Sequence, residues 1–238
     1  MGPYKRVLLK LSGESLAGAG RVGIDRTTLH QMADALKRVH QMGITLGVVV
    51  GGGNIYRGLR GASEGMDRAA ADYMGMLATI INATALQDCL EQRQVDTRLL
   101  TAIRVEAVAE PYIRRRALRH LERGRIVILA GGTGNPFFTT DTAAALRAAE
   151  LQMDVVLKAT RVDGVYSADP EKEPSATLFD SISYKDVLGK RLRVMDWPAV
   201  SLCMENAIPI VVFNMEKEEN LVRLLKGDKI GTTVKEGD

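Results

Sequence analysis

The stretch Gly131-Gly132-Thr133-Gly134-Asn135-Pro136-Phe137-Phe138-Thr139-Thr140-Asp141 carries the residue types best suited to hold a reacting group. It follows the apolar run Arg125–Ala130 and precedes a segment with helical character, Thr142–Leu151. Glycines let a backbone approach a phosphate closely, and a helix start offers unpaired N–H groups at the positive end of its dipole. With the hydroxyls of Thr133, Thr139 and Thr140 added, the turn predicts a cradle for a phosphate ester. Asp141 has two readings open to it: an N-cap, or a carboxylate that orients Lys10 or a metal-bound water.

Three other segments carry compatible chemistry. Lys10-Leu11-Ser12-Gly13-Glu14 ends an aliphatic run with an ammonium, a hydroxyl and a flexible backbone, where a transferring phosphoryl could be neutralised; a solvated strand-end lysine is the plain alternative. Gly51-Gly52-Gly53-Asn54 precedes Arg57-Gly58, so open backbone stands beside a guanidinium able to grip phosphate bidentately, or else beside a mere surface arginine. Thr160, Asp163-Gly164, Tyr166 and Asp169-Pro170 could hold a nucleoside, with the tyrosine beside the base, or form an Asp-Gly hairpin with a half-buried ring. Asp72 reads equally as a solvated helix residue and as an acceptor for ribose hydroxyls.

Other patterns are set aside. Gly18-Ala19-Gly20-Arg21-Val22-Gly23 matches Gly-x-Gly-x-x-Gly, but it begins several residues beyond the strand and Asp25 caps the next helix, so no glycine sits in a strand-to-helix turn. The P-loop pattern is absent from the sequence. Arg114, Arg115, Arg116, Arg119 and Arg123 read as a solvated helix face, with a subunit interface or a regulatory anion site as alternatives. His30, His40 and His120 lack metal-ligand spacing, Met66, Met74 and Met76 read as core or interface packing, and no metal-binding residues are assigned. Cys89 and Cys203 suggest neither a zinc site nor a disulfide framework.

To position these groups the chain offers short aliphatic runs at Tyr4–Leu11, Ile44–Val50, Thr97–Ile103, Arg125–Ala130, Asp154–Ala159 and Ile208–Phe213. Between them lie helical segments at Asp25–Met42, Asp67–Arg93, Pro111–Arg123, Thr142–Leu151 and Trp197–Asn206, while Ser167–Ser183, with Pro170 and Pro174, reads as a loop or hairpin excursion. The alternation predicts an α/β fold: a three-layer αβα sandwich around a mostly parallel central sheet, with ligands at the carboxyl ends of the strands. One domain over residues 1–238 is expected, its acceptor-binding part N-terminal and its nucleotide-binding part C-terminal. A net charge of +3 across 238 residues suits an anionic small molecule better than nucleic acid. No run approaches the length of a membrane span and the N-terminus has no signal-like apolar stretch, so a cytoplasmic protein is expected.

Taken together, the Lys10–Glu14, Gly51–Asn54 and Arg57-Gly58, Gly132–Asp141 and Lys158–Pro170 segments resemble the bacterial uridylate kinases of the amino-acid kinase family. The resemblance extends over nearly the whole chain, through Met74–Thr79 and Val211–Met215, and Thr133–Asp141 is its most specific part. It implies transfer of the γ-phosphoryl of Mg-ATP to UMP in pyrimidine nucleotide synthesis, with Mg2+ bound along with ATP. It implies Lys10, Leu11, Ser12, Gly13, Gly53, Arg57, Thr160, Tyr166 and Asp169 around ATP, and Gly52, Asp72, Thr133, Gly134, Asn135, Pro136, Phe137, Phe138, Thr139 and Thr140 around UMP. Lys10, Arg57 and Asp141 would be catalytic. A homohexamer of paired subunits, inhibition by UTP and activation by GTP complete the implied picture, although residues 18–23 and the Arg114 helix lie where members vary. Because the acceptor is a phosphate oxygen with a second pKa of about 6, no general base is required. A kinase for acetylglutamate, aspartate, glutamate or carbamate, and a nucleotide sensor without turnover, are the competing readings.

Overall fold

The computed structural model describes residues 2–20, 22–170, 172–173, 175–192, 194–217 and 219–237. Arg21, within the set-aside glycine pattern, and Pro174, within the expected excursion, lie outside the described residues. The strands are β1 (Arg6–Leu11), β2 (Thr45–Val50), β3 (Thr97–Thr101), β4 (Glu110–Pro111), β5 (Ile126–Ala130), β6 (Val155–Thr160), β7 (Ser181–Ser183), β8 (Ile210–Asn214) and β9 (Thr232–Lys235). The helices are α1 (Arg26–Gln41), α2 (Gly58–Ser63), α3 (Arg68–Glu91), α4 (Arg114–Glu122), α5 (Thr140–Glu150), α6 (Tyr184–Gly189), α7 (Trp197–Glu205) and α8 (Asn220–Lys226).

The strands form one sheet in the order β4-β3-β5-β2-β1-β6-β8-β9-β7. Its pairs are parallel except β8 with β9, so the loops after β1, β2, β5, β6 and β8 open at one edge. Side chains alternate across a strand, and the packing follows that period. Val7, Leu9 and Leu11 face α1, α3 and α8, in a core with Leu36, Leu86 and Leu221. Leu8, Val49 and Val156 face the other way, against Ala144 and Ala148 of α5 and Cys203 of α7. Helices on both faces and a mostly parallel sheet are the expected sandwich.

Several boundaries differ from the sequence reading. Pro111 belongs to β4, and α4 begins at Arg114, because Glu110-Pro111 pairs with Leu100-Thr101 of β3. Helix α5 starts at Thr140, with the Thr139 hydroxyl accepting from the Asp141 N–H, so Asp141 is not the N-cap. Asp25 does cap α1, accepting from Thr28 N–H. The Ser167–Ser183 excursion is pinned at its base by a bridge from Leu178 back to Tyr166, just before it, and closes into β7. Beyond Phe213, helix α8 and strand β9 add elements that the aliphatic runs do not announce.

Where β2 ends, the chain passes directly beneath α3. A Cβ on Gly52 would lie 2.7 Å from Gly75 O, 2.8 Å from Ala78 Cβ and 2.9 Å from Thr79 N, a space closed on all sides by backbone and helix. Forcing even one methyl into a packed contact costs about 1–3 kcal/mol. Gly52→Ala is therefore expected to lower the unfolding free energy by that much, read as a lower urea midpoint with an unchanged m-value; an unchanged midpoint would show that α3 does not rest on this turn.

Candidate active site

Period-two alternation puts Lys10 on the same face of β1 as Leu8, and Lys158 on the same face of β6 as Val156, the face covered by α5. The strands are adjacent and in register at Lys10 and Lys158, so two ammonium groups emerge side by side under the first turn of α5. Asp141 meets both: Lys10 Nζ is 2.8 Å from Oδ1, and Lys158 Nζ is 2.7 Å from Oδ2. Lys158 Nζ also donates to the carbonyl of Val194. Of the readings left open for Asp141, the N-cap is taken by Thr139, and the carboxylate pairs with Lys10.

Burial opposes every charge here. It pushes the Asp141 carboxyl up, but the ammonium groups of Lys10 and Lys158 and their hydrogen bonds outweigh it and hold the group at about 2. Burial lowers Lys158, Asp141 opposes that, and Lys10 adds to the lowering. Two lysines share the Asp141 carboxylate in a mostly enclosed place, and Asp196 is the next anion to act on Lys158. With two lysines gathered there, the site favours an anionic ligand.

The N-terminus of α5 is itself held in place. Thr139 and Thr142 both donate to Asp196 Oδ2 at 2.6 Å, and Asp196 caps α7 by accepting from Ala199 N–H. Neither Lys158 nor Asp196 figures among the sequence-derived site residues. A lysine interrupting Val155-Val156-Leu157 was a signal for the first, and Asp196-Trp197-Pro198 as a cap with proline was a signal for the second.

The glycine-rich loop after β2 is braced by amides. Asn54 and Asn82 exchange side-chain hydrogen bonds, Asn82 Nδ2 also donates to Gly51 O, and Asn54 Nδ2 donates to Gly23 O. Gly13 leans on this pair, since a Cβ there would strike the Asn54 side chain and stand 2.7 Å from Gly53 N. Leu11 turns its side chain into the core and offers its carbonyl to Gly51 N–H. Ser12 caps the short turn Gly13–Leu16. Thr79 Oγ1 accepts from Gly131 N–H at 2.7 Å, fixing where the threonine-rich loop leaves β5.

Two cavities flank this cluster. One, of about 470 Å³, is lined by Gly52, Gly53, Arg57, Arg68, Asp72, Gly132, Phe138, Thr139 and Thr140 among others. The other, of about 620 Å³, is lined by Lys158, Thr160, Tyr166, Asp169, Lys190 and Leu192 among others. Asp141 stands between them, its neighbour Thr140 on one and its partner Lys158 on the other. Thr133, Gly134, Asn135, Pro136 and Phe137 form the outer arm of the threonine-rich loop, from which Phe137 N–H reaches Asp72 Oδ2 at 2.8 Å. Asp72 is thus a cleft residue rather than a solvated one. Gly53 and Arg57, which the resemblance assigns to ATP, lie with Gly52 and Asp72. In this structure the Arg57 guanidinium is paired with Glu14. A roomier cavity of about 640 Å³ lies on the α1 side of the same loops, lined by Ser12, Glu14, Thr28, Arg161 and Glu216 among others, away from Asp141.

A metal implied by the resemblance would find oxygen ligands but no cage. Among the described residues no group of three or more His, Cys, Asp or Glu side chains converges. Asp141, whose Oδ1 meets Lys10 and whose Oδ2 meets Lys158, is one hard carboxylate donor there. That inventory fits magnesium, which commonly binds through one or two carboxylates and its substrate's phosphates.

Removing the shared carboxylate would leave Lys10 and Lys158 buried against each other. Breaking a buried pair costs about 3–5 kcal/mol, so Asp141→Asn should lose stability on that scale in urea unfolding, and a loss below 1 kcal/mol would refute the pairing. The sign with pH is fixed as well. A carboxyl lowered from 3.8 to about 2 contributes stability fully present above its unfolded value and lost as pH falls through about 2.

The profile of the Amino acid kinase family matches residues 5–214. Among solved structures, a UMP kinase from Bacillus anthracis is 39% identical with a TM-score of 0.96, covering 99% of this chain and 98% of that one. A UMP kinase from Ureaplasma parvum is 36% identical with a TM-score of 0.92, covering 98% and 99% of the two chains. A uridylate kinase from Archaeoglobus fulgidus is 29% identical with a TM-score of 0.75, covering 98% and 100%. With a buried Lys-Asp-Lys cluster on this sheet, and with that match across most of its length, the chain is a kinase of the amino acid kinase family.

Proposed function

We propose that this kinase transfers the γ-phosphoryl group of ATP to UMP, giving ADP and UDP. The carrying observation is the Lys10–Asp141–Lys158 cluster set between two nucleotide-sized cavities, in a chain 39% identical to a UMP kinase. UMP occupies the cavity of Gly52, Asp72, Phe138, Thr139 and Thr140, and ATP that of Thr160, Tyr166 and Asp169, their phosphates converging on Lys10 along Ser12 and Gly13. A UMP phosphate oxygen attacks the γ-phosphorus in line, and the bond to the β–γ bridging oxygen breaks.

With the acceptor phosphate ionised above its second pKa of about 6, no proton has to be removed. What the protein supplies is positioning and charge. Lys10 and Lys158 face the equatorial oxygens, Asp141 keeps both ammonium groups aimed, and Arg57 exchanges Glu14 for the acceptor phosphate. Asp141 is the carboxylate that would help hold a magnesium ion bound with ATP, which would supply further neutralisation between the two anions.

The same reading extends to assembly and control. Tyr73, Leu77 and Ile81 recur at helical spacing along α3 and are each about half exposed, an apolar stripe that supports pairing of subunits through α3 within a homohexamer. UTP, which shares the uridine, would inhibit by taking the acceptor cavity. The exposed arginines of α4 are where an activating GTP would be sought. Among the described residues no helix is long and apolar enough to cross a membrane, and a cytoplasmic place in pyrimidine synthesis follows from the proposed reaction.

ADP release from Mg-ATP, measured with UMP, CMP, dUMP, AMP, GMP, acetylglutamate, aspartate, glutamate and carbamate as separate acceptors, tests the proposal. Turnover selective for UMP supports it; turnover with a carboxylate or carbamate alone, or tight UMP binding without turnover, overturns it. Lys10→Ala should lower kcat by at least about a hundredfold in a folded protein. The kcat/KM for UMP should rise through about pH 6 to a plateau as the acceptor ionises, with no additional limb from Asp141, which is ionised throughout that range.

A further inference from the structure

Arg68 directly follows the Asp67 cap as the first residue of α3, where a cation is disfavoured by the helix dipole. The cap is already made, Asp67 accepting from Ala70 N–H, so Arg68 serves something other than the helix start. Its Nε donates to Asp72 Oδ2 at 2.8 Å, and Phe137 N–H donates to that same oxygen at 2.8 Å. The guanidinium also lies 5.5 Å from the centre of the Phe137 ring. Phe137 holds φ of 73°, a left-handed backbone that a phenylalanine rarely adopts. One arginine therefore fixes the carboxylate, the ring and the arm of the threonine-rich loop together.

The arrangement divides the two oxygens of Asp72. Oδ2 is committed to Arg68 and Phe137, whereas Oδ1 lies beside Gly58, where a Cβ would stand 2.6 Å away, and both residues line the acceptor cavity. An ionised carboxylate is acceptor-only, so the free oxygen calls for a donor on the ligand. Given the UMP kinase reading, on which this inference rests, the donors available on that part of the acceptor are its ribose hydroxyls. We propose that Arg68 is a positioning residue for ribose recognition: by holding Asp72 Oδ2 it aims Oδ1 at the acceptor's hydroxyls and makes the site discriminate ribonucleotide from deoxyribonucleotide.

The test compares kcat/KM for UMP and dUMP in the wild type, Arg68→Met, Arg68→Lys and Asp72→Asn, with thermal unfolding of each. A hydrogen bond to a charged group contributes enough for a preference of about tenfold or more, so Arg68→Met should reduce the UMP preference by roughly that factor while the KM for ATP stays the same. Arg68→Lys, which keeps the charge and guards against a variant that fails to fold, should retain part of the preference. In an Asp72→Asn background, Arg68→Met should reduce it no further. Equal losses on UMP and dUMP, an unchanged ratio, or a parallel rise in the KM for ATP would overturn the role of Arg68. If the wild type binds these nucleotides without turnover, the proposed reaction fails, and the ratio of their calorimetric affinities across the same variants decides the role of Arg68 on its own.

Discussion

Two lysines buried around one carboxylate set the terms for the rest of this molecule. Taking ammonium and carboxylate groups out of water is costly unless partners and geometry are supplied. Here Lys10 and Lys158 come from adjacent strands in register, and Asp141 comes from the first turn of a helix lying across them. None of the three could be buried without the others. Lys158 brings the cluster to the wall of one cavity, and under the proposed reaction phosphate groups would complete its charge there.

That requirement propagates outward through backbone positions. Asp141 must sit in the first turn of α5, and Thr139 and Thr142 anchor that turn to Asp196 at the start of α7. The alanines of α5 let the helix lie close enough to the sheet for a short aspartate to reach both lysines. On the acceptor side, the reciprocal Asn54–Asn82 amide pair gives the glycine-rich loop a fixed path despite its lack of side chains. Its glycines act through close approach to α3 and to the Gly13 turn, so the loop is packed rather than loose.

Much of this was legible in the residues. The aliphatic runs gave the central strands to within a few residues, because fully buried parallel strands are nearly continuous in Val, Ile and Leu. The glycine and threonine loops were visible because backbone that must meet a ligand is written in residues without bulk. What escaped notice has physical reasons. β4, β7 and β9 are short edge or near-edge elements with few apolar residues, and α2 is a six-residue turn with two glycines and no amphipathic period. Lys158 was quoted within a motif but given no role, since its partner Asp141 lies on another element and only the register of β1 with β6 brings them together. Asp196 joins two helix starts that are distant in sequence. The two readings of Asp141 stayed open in the sequence because which residue caps α5 depends on the path of Thr139, whose hydroxyl takes that place.

The position of the site follows from topology as much as from residue type. From β1 the chain runs outward to β2, while from β6 it runs outward in the opposite direction to β8, so the carboxyl ends of β1 and β6 mark where the strand order diverges. Loops leaving adjacent strands in opposite directions leave a crevice that neither fills. The loops after β2 and β5 wall one side of it and the loop after β6 walls the other, which is why there are two cavities rather than one continuous groove. Under the proposed reaction, two anions brought in from opposite sides would meet where β1 and β6 present Lys10 and Lys158 in register. A transfer between phosphate oxygens would need no proton relay, in keeping with a junction built of buried lysine and aspartate rather than histidine or cysteine.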